Sequence, residues 1–187
     1  MMNDSKAKNI EMVLLDVDGV MTDGSIYISG LGEAFKCFNV QDGLAIELLR
    51  SHGIKAGVIS GKSSEALTAR CVQLGFDVII TGCKNKLPQI ASISQEYGIP
   101  ASSMAFCGDD VLDLPVFNKV GLSVCPADAH QLALEEADWV MSAKGGQGMV
   151  REFVDKLLTE KTGSSLAEIY RPLLDKIQAD IVERIEQ

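Results

Sequence analysis

The sequence lacks several features that mark particular classes of protein. No apolar run approaches the roughly 20 residues that cross a membrane, and the segment M-M-N-D-S-K-A-K-N-I-E-M has no hydrophobic stretch typical of a secretory signal. Acidic residues outnumber basic ones, 26 to 17, and the net charge of −9 argues against a nucleic-acid partner. The five cysteines form no C-x-x-C pair and are odd in number, which favours free thiols. We therefore expect an acidic, cytoplasmic protein with no membrane contact.

The residues that are present favour one α/β core. Of the 187 residues, 47% are hydrophobic and 23% are charged, a balance typical of folded domains. Short apolar runs predict strands at residues 12–17, 56–59, 78–80, 104–107, 122–124 and 139–141. Amphipathic segments predict helices at residues 43–52, 87–97, 114–120, 129–137 and 149–158. Ser63 and Ser64 are candidate caps of a further helix that reaches Leu74 and is stopped by Gly75. Asp42 is predicted to cap the first helix. The alternation predicts a Rossmann-like, mostly parallel sheet with helices on both faces and functional residues at the carboxyl ends of strands.

Two segments depart from this alternation. Residues 26–28 and 35–38 flank the turn S-G-L-G-E, which predicts a projecting β-hairpin over about residues 24–40. Without a partner, its apolar residues Ile26, Ile28, Phe35 and Phe38 are expected to be largely exposed. After residue 162, apolar side chains recur at helical spacing, and Pro172 favours a helix start or a kink near that point. We therefore divide the chain into a core at residues 1–162 and an amphipathic helical tail at residues 163–187. Packing of the tail on its own domain and packing on a neighbouring subunit are equally plausible.

Acidic residues follow two of the predicted strands. Asp16 and Asp18 stand in D-V-D-G directly after the first apolar run, and their charges cost stability unless a cation neutralises them. Mg²⁺ is the natural cation, because it prefers carboxylate and carbonyl oxygens. A capped turn explains D-x-D-G alone equally well. However, Asp109, Asp110 and Asp113 follow a later strand, and three acids in five residues exceed what one helix cap requires. In a parallel sheet both clusters face one edge, which favours a shared metal site.

Two further segments carry groups that suit phosphate. Ser60-Gly61-Lys62 ends a predicted strand with a hydroxyl and a tight turn before a helix, whose N-terminus attracts anions. Lys86 precedes the next predicted helix. Taken singly, a Ser-Gly turn and a lone lysine are common surface chemistry. Beside two acidic clusters, Lys86 becomes a candidate counter-charge.

In this order the four segments resemble the motifs of the haloacid-dehalogenase superfamily of phosphotransferases. The sequence has D-x-D-G-x-x-T-D, then a hydrophobic strand that ends in Ser-Gly, then a lysine, then G-D-D-x-x-D. The order and spacing together are specific, although each piece alone is not. The resemblance covers about residues 12–158. It implies a Rossmann-like core and Mg²⁺-dependent phosphoryl transfer through an aspartyl-phosphate.

The resemblance also implies roles for the acidic residues. Asp16 would attack phosphorus as a carboxylate nucleophile. Asp18 would protonate the leaving oxygen and then activate water. Mg²⁺ would be held by the carboxylates of Asp16 and Asp109 and by the main-chain carbonyl of Asp18. Asp110 and Asp113 would order the water molecules around the metal.

The remaining implied roles concern the substrate. Ser60 would donate a hydrogen bond to a phosphoryl oxygen, and Lys86 would offset the charge of the phosphate and of the nucleophile. Gly61 and Lys62 complete the expected substrate-binding set. Positioning and electrostatic stabilisation dominate this kind of catalysis, so each of these contacts is expected to act on the rate.

The connections between motifs are too short for a cap domain. Only 36 residues separate Asp23 from Ser60, and they already hold the hairpin, a helix and a strand. Only 21 residues separate Lys86 from Gly108, which is enough for one helix and one strand. A capless core leaves its site open. It therefore needs a large substrate or a neighbouring subunit as a lid.

Finer features resemble one capless branch, the phosphatases of 3-deoxy-D-manno-octulosonate 8-phosphate, a lipopolysaccharide precursor, and of related nonulosonate 9-phosphates. The matching segments are D-V-D-G-V-M-T-D-G, F-N-V-Q-D-G, G-C-K-N-K-L, G-D-D-V-L-D-L-P-V and G-G-Q-G-M-V-R-E. The resemblance implies a homotetramer built on the hairpins, with sites completed by neighbours. Lys62, Gln41 and Gln147 stand where octulosonate enzymes typically carry Arg, whose bidentate fork suits a carboxylate. The octulosonate ester is the expected substrate, and a nonulosonate ester is the alternative.

Two other classes of protein share parts of this pattern. A signalling receiver domain also combines clustered acids, a hydroxyl, a lysine and Mg²⁺. It places adjacent acids after the first strand and the phosphorylated Asp after the third, whereas this sequence has D-x-D after the first strand and Ser60 after the second. A weakly active assembly module of the same fold is a further alternative. The complete set of catalytic residue types argues against it.

Overall fold

A computed structural model describes residues 4–30 and 32–185, with side chains from residue 6 to residue 179 apart from residue 31. Its strands are β1 (Met12–Leu15), β2 (Tyr27–Ser29), β3 (Gly32–Phe35), β4 (Lys55–Ile59), β5 (Val78–Ile80), β6 (Met104–Cys107), β7 (Leu122–Cys125) and β8 (Trp139–Val140). Its helices are α1 (Asp4–Ala7), α2 (Val40–Ser51), α3 (Glu65–Leu74), α4 (Leu87–Tyr97), α5 (Leu114–Phe117), α6 (Gln131–Glu136), α7 (Met149–Thr162) and α8 (Leu166–Ile185). The predicted α/β alternation is confirmed.

The main sheet is parallel throughout, with the strand order β5-β4-β1-β6-β7-β8. The chain runs from β1 through β4 to one edge and then crosses back to β6, which continues to the other edge. β1 therefore lies beside the point where the direction of winding changes, and Leu15 is paired with Val58 on one side and Cys107 on the other. In open parallel sheets, ligands bind at this switch point, outside the carboxyl ends of the strands.

Helices cover both faces of the main sheet. Val13 and Leu15 of β1 belong to a core that contains buried residues of α2, α3, α7 and α8. Met12 and Leu14 belong to a second core with α4, α5 and α6. Because both faces are buried, every residue of β1 is apolar. The first acid after this run is therefore placed at the edge of the sheet.

The predicted cap of α2 is wrong. Asn39 is the cap, and its Oδ1 accepts the main-chain N–H of Gln41 at 2.8 Å. Asp42 lies in the first turn of α2, is 2% exposed, and accepts the main-chain N–H of Arg151 at 2.9 Å. That N–H belongs to the first turn of α7, whose N-cap residue is a glycine without a side chain to accept it. Asp42 thus joins two helices.

β2 and β3 form the predicted hairpin as a separate antiparallel pair. The strands lie nearer the turn than predicted, and the rings of Tyr27 and Phe35 stack at a centroid distance of 4.4 Å. Ile28 is 70% exposed and Phe35 54% exposed, as expected for apolar residues on a projecting element. The expectation that Phe38 is also exposed is wrong. Phe38 lies beyond β3 and packs against the core of α2 and α7.

The tail begins as an ordered helix on its own domain. α8 starts at Leu166 and includes Pro172, so the predicted start near Pro172 is wrong. Oε2 of Glu168 accepts hydrogen bonds of 2.8 Å from both the main-chain N–H and the hydroxyl of Ser165, which begins the helix earlier. Ile169 is 1% exposed and packs in the core. The domain boundary at residue 163 stays a prediction. Among the described helices, none is long and apolar enough to span a membrane.

Candidate active site

Three loops meet at the carboxyl ends of the central strands. β1 leads into Asp16, β4 into Ser60 and β6 into the loop that holds Asp109. Hydrogen bonds continue the ladder past the assigned strands: the N–H of Asp16 donates to the carbonyl of Cys107 at 2.8 Å, and that of Ser60 to the carbonyl of Ile80 at 2.8 Å. Main-chain pairing within the sheet therefore fixes the positions of Asp16 and Ser60 at this edge.

Lys86 lies between two carboxylates. Its Nζ is 2.8 Å from Oδ2 of Asp16 and 2.6 Å from Oδ1 of Asp113. The Lys86 side chain is 4% exposed and that of Asp113 1% exposed. Burial lowers the pKa of Lys86, but the charges and hydrogen bonds of Asp16 and Asp113 outweigh burial and raise the pKa above its ordinary value. The ammonium group therefore stays charged and is the counter-charge that the sequence predicted.

Asp113 also holds the loop that follows β6. Its Oδ2 accepts the main-chain N–H groups of Asp109 at 3.0 Å and Asp110 at 3.3 Å. Asp110 in turn caps the short 3-10 turn Val111–Asp113. A Cβ atom on Gly108 would lie 2.5 Å from Oδ2 of Asp113, so glycine is needed for the loop to close on this carboxylate. The expected part of Asp110 and Asp113 in ordering metal-bound water stays a prediction.

Carboxylate oxygens of Asp16, Asp109 and Asp113 lie within 4.8 Å of one another, which suits one hard divalent cation. Burial is the largest cause that raises the pKa of Asp109 to about 8, and the charges of Asp16 and Asp113 add to it. Burial also raises the pKa of Asp16 to about 6, although Lys86 opposes the shift. One lysine does not balance three carboxylates, so the donor set fits a bound cation.

Asp18 lies outside that group and has a partner, Lys36, that is not among the predicted site residues. Oδ1 of Asp18 accepts a hydrogen bond of 2.5 Å from Nζ of Lys36, the residue after β3. The Lys36 side chain is 3% exposed, and its Nζ is also 3.3 Å from Oε1 of Glu33. Lys36 thus engages one carboxylate oxygen of Asp18, and the main-chain carbonyl is the oxygen that the resemblance implies as a metal ligand. No sequence spacing links Lys36 to Asp18, since the hairpin alone brings them together.

The acidic group lines one cleft of about 500 Å³ together with Gly61, Lys62 and Lys86. Ser60 is fully buried and is not among the residues that line the cleft, and its Oγ accepts the main-chain N–H of Lys62 at 3.2 Å. Its carbonyl accepts the N–H of Cys83 at 2.9 Å, which ties the Ser60 loop to the loop that carries Lys86. The cleft is lined by Asp16, Asp18, Gly61, Lys62, Lys84, Lys86, Asp109, Asp110, Leu112 and Asp113. Lys84 and Leu112 were not predicted.

Gln41 and Gln147 do not line this cleft. Gln41 lines a separate groove with Arg70 and Arg151, between α2 and α3. Gln147 lies in the loop before α7, where its N–H donates to the carbonyl of Lys144 at 3.1 Å. Within one subunit, these two positions are therefore separate from the acidic cluster, whereas Lys62 lines the cleft.

The fold and the cleft define a hydrolase with a metal-binding acidic centre at the switch point of a parallel sheet. In agreement, the family of haloacid dehalogenase-like hydrolases matches residues 71–153. The chain is 42% identical to the 3-deoxy-D-manno-octulosonate 8-phosphate phosphatase KdsC of Escherichia coli strain K12 over 154 residues, 82% of each chain. The chain therefore belongs to the haloacid dehalogenase-like hydrolases, in the family of the KdsC phosphatases, and is itself a phosphatase that uses a divalent metal.

Solved structures agree with this assignment. The cobalt-bound deoxy-D-mannose-octulosonate 8-phosphate phosphatase of Haemophilus influenzae is similar, with a TM-score of 0.85 and 37% identity, over 90% of this chain and 99% of that one. The 3-deoxy-D-manno-octulosonate 8-phosphate phosphatase of Moraxella catarrhalis, in complex with a magnesium ion, a phosphate ion and the sugar acid, has a TM-score of 0.83 and 32% identity, over 86% and 92%. Because nearly the whole of each chain is covered, the likeness extends to the capless architecture.

Proposed function

We propose that this enzyme hydrolyses 3-deoxy-D-manno-octulosonate 8-phosphate, with Mg²⁺ as its metal, in the cytoplasm. The observation that carries the proposal is the Asp16–Lys86–Asp113 arrangement beside Asp109, in a chain that matches phosphatases of this ester over most of its length. A nucleophilic carboxylate needs a nearby cation and a neutralised phosphate, and this arrangement offers both.

In the first half-reaction, an oxygen of Asp16 forms a bond to phosphorus as the bond between phosphorus and the sugar oxygen breaks. Asp18 donates a proton to that sugar oxygen, so the sugar acid leaves as a neutral alcohol at this position. Lys86 stays beside Asp16 and offsets negative charge on the transferred group. Ser60 and the Gly61-Lys62 turn supply hydrogen-bond donors for the phosphoryl oxygens.

In the second half-reaction, water attacks the phosphorus of the aspartyl-phosphate. Asp18, now ionised, accepts a proton from that water, and the bond between Asp16 and phosphorus breaks. Phosphate leaves, and both carboxylates return to their starting states. The same residue thus serves as acid and then as base, which requires that its carboxyl group stays near the reacting oxygen in both steps.

Asp16 and Asp109, with the main-chain carbonyl of Asp18, are the proposed metal ligands. The oxygens of Asp113 are already engaged, one by Lys86 and the other by two main-chain N–H groups. This favours Asp113 as the residue that holds the loop and the lysine rather than the ion. When bound, Mg²⁺ would neutralise charge between the attacking carboxylate and the phosphate and would hold them in line.

Lys62 and Lys84 are proposed to bind the carboxylate of the sugar acid. Both line the cleft, and within the described residues neither side chain makes a hydrogen bond or ion pair. A nonulosonate 9-phosphate is the second candidate substrate, because Lys62 stands where octulosonate enzymes typically carry Arg. A lysine is a point charge and places fewer geometric demands on its partner than the arginine fork.

A phosphate-release assay with both sugar-acid esters tests this proposal. With Mg²⁺, we expect the octulosonate ester to give the higher kcat/KM, and with Ca²⁺ we expect little turnover because Ca²⁺ prefers looser coordination with more ligands. In EDTA, activity is expected to disappear and to return when Mg²⁺ is added. Full activity after dialysis against EDTA would contradict the metal requirement. Preference for the nonulosonate ester would select the alternative, and inactivity on both with Mg²⁺ would favour the assembly module.

We also propose a homotetramer built on the hairpin β2–β3. A two-stranded hairpin is marginal by itself in water, and Ile26, Ile28 and Phe35 expose at least half of their surface. Burying one such side chain stabilises an interface by about 1.5–3 kcal/mol. A neighbouring subunit on this surface would also cover the open cleft.

The double variant Ile28→Ser/Phe35→Ser is expected to sediment as a smaller species. Loss of two apolar anchors weakens association by about 3–6 kcal/mol, or at least about 100-fold in the dissociation constant. Activity should fall with it, since the neighbour completes the site. Val72→Ser is the matched control, because Val72 is 64% exposed on α3, outside the hairpin. A monomeric wild-type protein at micromolar concentration would contradict the tetramer, and a fully active monomeric variant would contradict the shared site.

A further inference from the structure

The hairpin places the buried ammonium group of Lys36 beside the catalytic cleft. Lys36 follows β3, its side chain is 3% exposed, and its Nζ lies 2.5 Å from Oδ1 of Asp18. Its second neighbour, Glu33, is on the same hairpin at 3.3 Å. We propose that Lys36 is a positioning residue, which holds the Asp18 carboxyl group by one oxygen and leaves the other free to exchange protons with the substrate and with water.

The contacts of Asp18 support this division of its two oxygens. Oδ1 is engaged by Lys36, whereas Oδ2 has no hydrogen bond within the part of the chain that the structure describes. Asp18 lines the cleft, and Gly19 after it has a φ of 92°, so the main chain turns sharply at this point. The remaining freedom of the carboxyl group is rotation of its side chain. A charged hydrogen bond to a buried lysine restricts that rotation.

A purely structural role for Lys36 would lead to a different kinetic result. If Lys36 only fixed the hairpin, its loss would lower the amount of active enzyme and would slow all substrates alike. A residue that positions the proton donor matters most when the leaving group needs a proton. Phenyl phosphate has a basic leaving oxygen, whereas 4-nitrophenyl phosphate has a stabilised one that leaves with little help. The ratio of the two rates therefore separates the two roles.

The test compares kcat/KM of wild type and Lys36→Met on these two esters with Mg²⁺. This parameter reports the steps up to departure of the leaving group, and the ratio within one preparation does not depend on the fraction of active enzyme. We expect Lys36→Met to lower kcat/KM for phenyl phosphate by a factor that is at least about ten times larger than the factor for 4-nitrophenyl phosphate. Lys36→Arg, which keeps a charged donor, is expected to restore most of the ratio.

Lys55→Met is the matched control. Lys55 also pairs with an aspartate, Asp77 at 3.3 Å, but it begins β4 at the opposite end of the strand from the cleft. Two results for Lys36→Met would overturn the proposal. One is an unchanged ratio of the two rates, as equal losses on both esters would give, and the other is a gain on phenyl phosphate. The inference rests on the proposed acid–base role of Asp18. A wild type that releases no phosphate from either sugar-acid ester would contradict the proposed function itself, so the two failures are distinguishable.

Discussion

Asp16→Asn is expected to lower phosphate release by about 10⁴-fold or more while the protein stays folded. The amide has nearly the same shape as the carboxylate. Its oxygen can still accept the main-chain N–H of Val17, which in the wild type lies 2.7 Å from Oδ1 of Asp16. What it lacks is the negative oxygen that would attack phosphorus. Assays of phosphate release with Mg²⁺ measure the loss, and residual activity within about tenfold of wild type would exclude Asp16 as the nucleophile.

Thermal unfolding provides the control for this variant. Burial raises the pKa of Asp16 from 3.8 to about 6 despite the opposing charge of Lys86. Above that pH the folded protein holds an ionised carboxylate that the unfolded chain would solvate better, so ionisation of Asp16 costs stability at neutral pH. In EDTA, Asp16→Asn is therefore expected to unfold at the same temperature as wild type or at a higher one. A lower unfolding temperature in EDTA would mean that lost activity reflects lost fold.

The sequence was sufficient for the parts of the site that follow strands. An apolar run buried on both faces must end where a charged residue appears, which places Asp16 and the loop of Asp109 at the sheet edge. Helix ends marked by Ser64 and Gly75 were also local, because a cap and a positive φ need only neighbouring residues. Predictions of this kind rest on contacts within a few positions of the chain.

The predictions that failed depend on distant contacts. Asp42 has the chemistry of a helix cap, but it caps the first turn of α7 rather than its own helix, because the two helices pack together. Phe38 is half-buried against the core, although Ile28 and Phe35 on the hairpin are exposed. Lys36 was overlooked because its partner Asp18 is 18 positions away and the turn geometry between them determines the contact. Tertiary packing decides such cases, and no local pattern reports it.

Lys86→Met is expected to affect both catalysis and stability. Loss of the cation beside Asp16 removes electrostatic stabilisation of the transferred phosphoryl group, which is expected to lower kcat by about 10²- to 10³-fold. The same change leaves Asp113, at 1% exposure, without its 2.6 Å partner. Breaking one partner of a buried ion pair costs about 3–5 kcal/mol, so the free energy of unfolding in EDTA should fall by about that amount. Lys55→Met, which breaks an ion pair of which the lysine is 42% exposed, should cost less than about 1 kcal/mol.

Mg²⁺ separates the two functions of Lys86. Without the lysine, the carboxylates of Asp16, Asp109 and Asp113 carry an unbalanced charge within 4.8 Å of one another. A divalent cation that binds only the folded protein stabilises it by mass action, and the more negative site should bind it more tightly. Urea unfolding with and without Mg²⁺ should therefore show a larger metal-dependent gain for Lys86→Met than for wild type. Activity should stay low in the same solution, because the metal restores charge balance but not the ammonium donor beside Asp16. An equal gain in the two proteins would mean that Lys86 does not share the charge of the metal site.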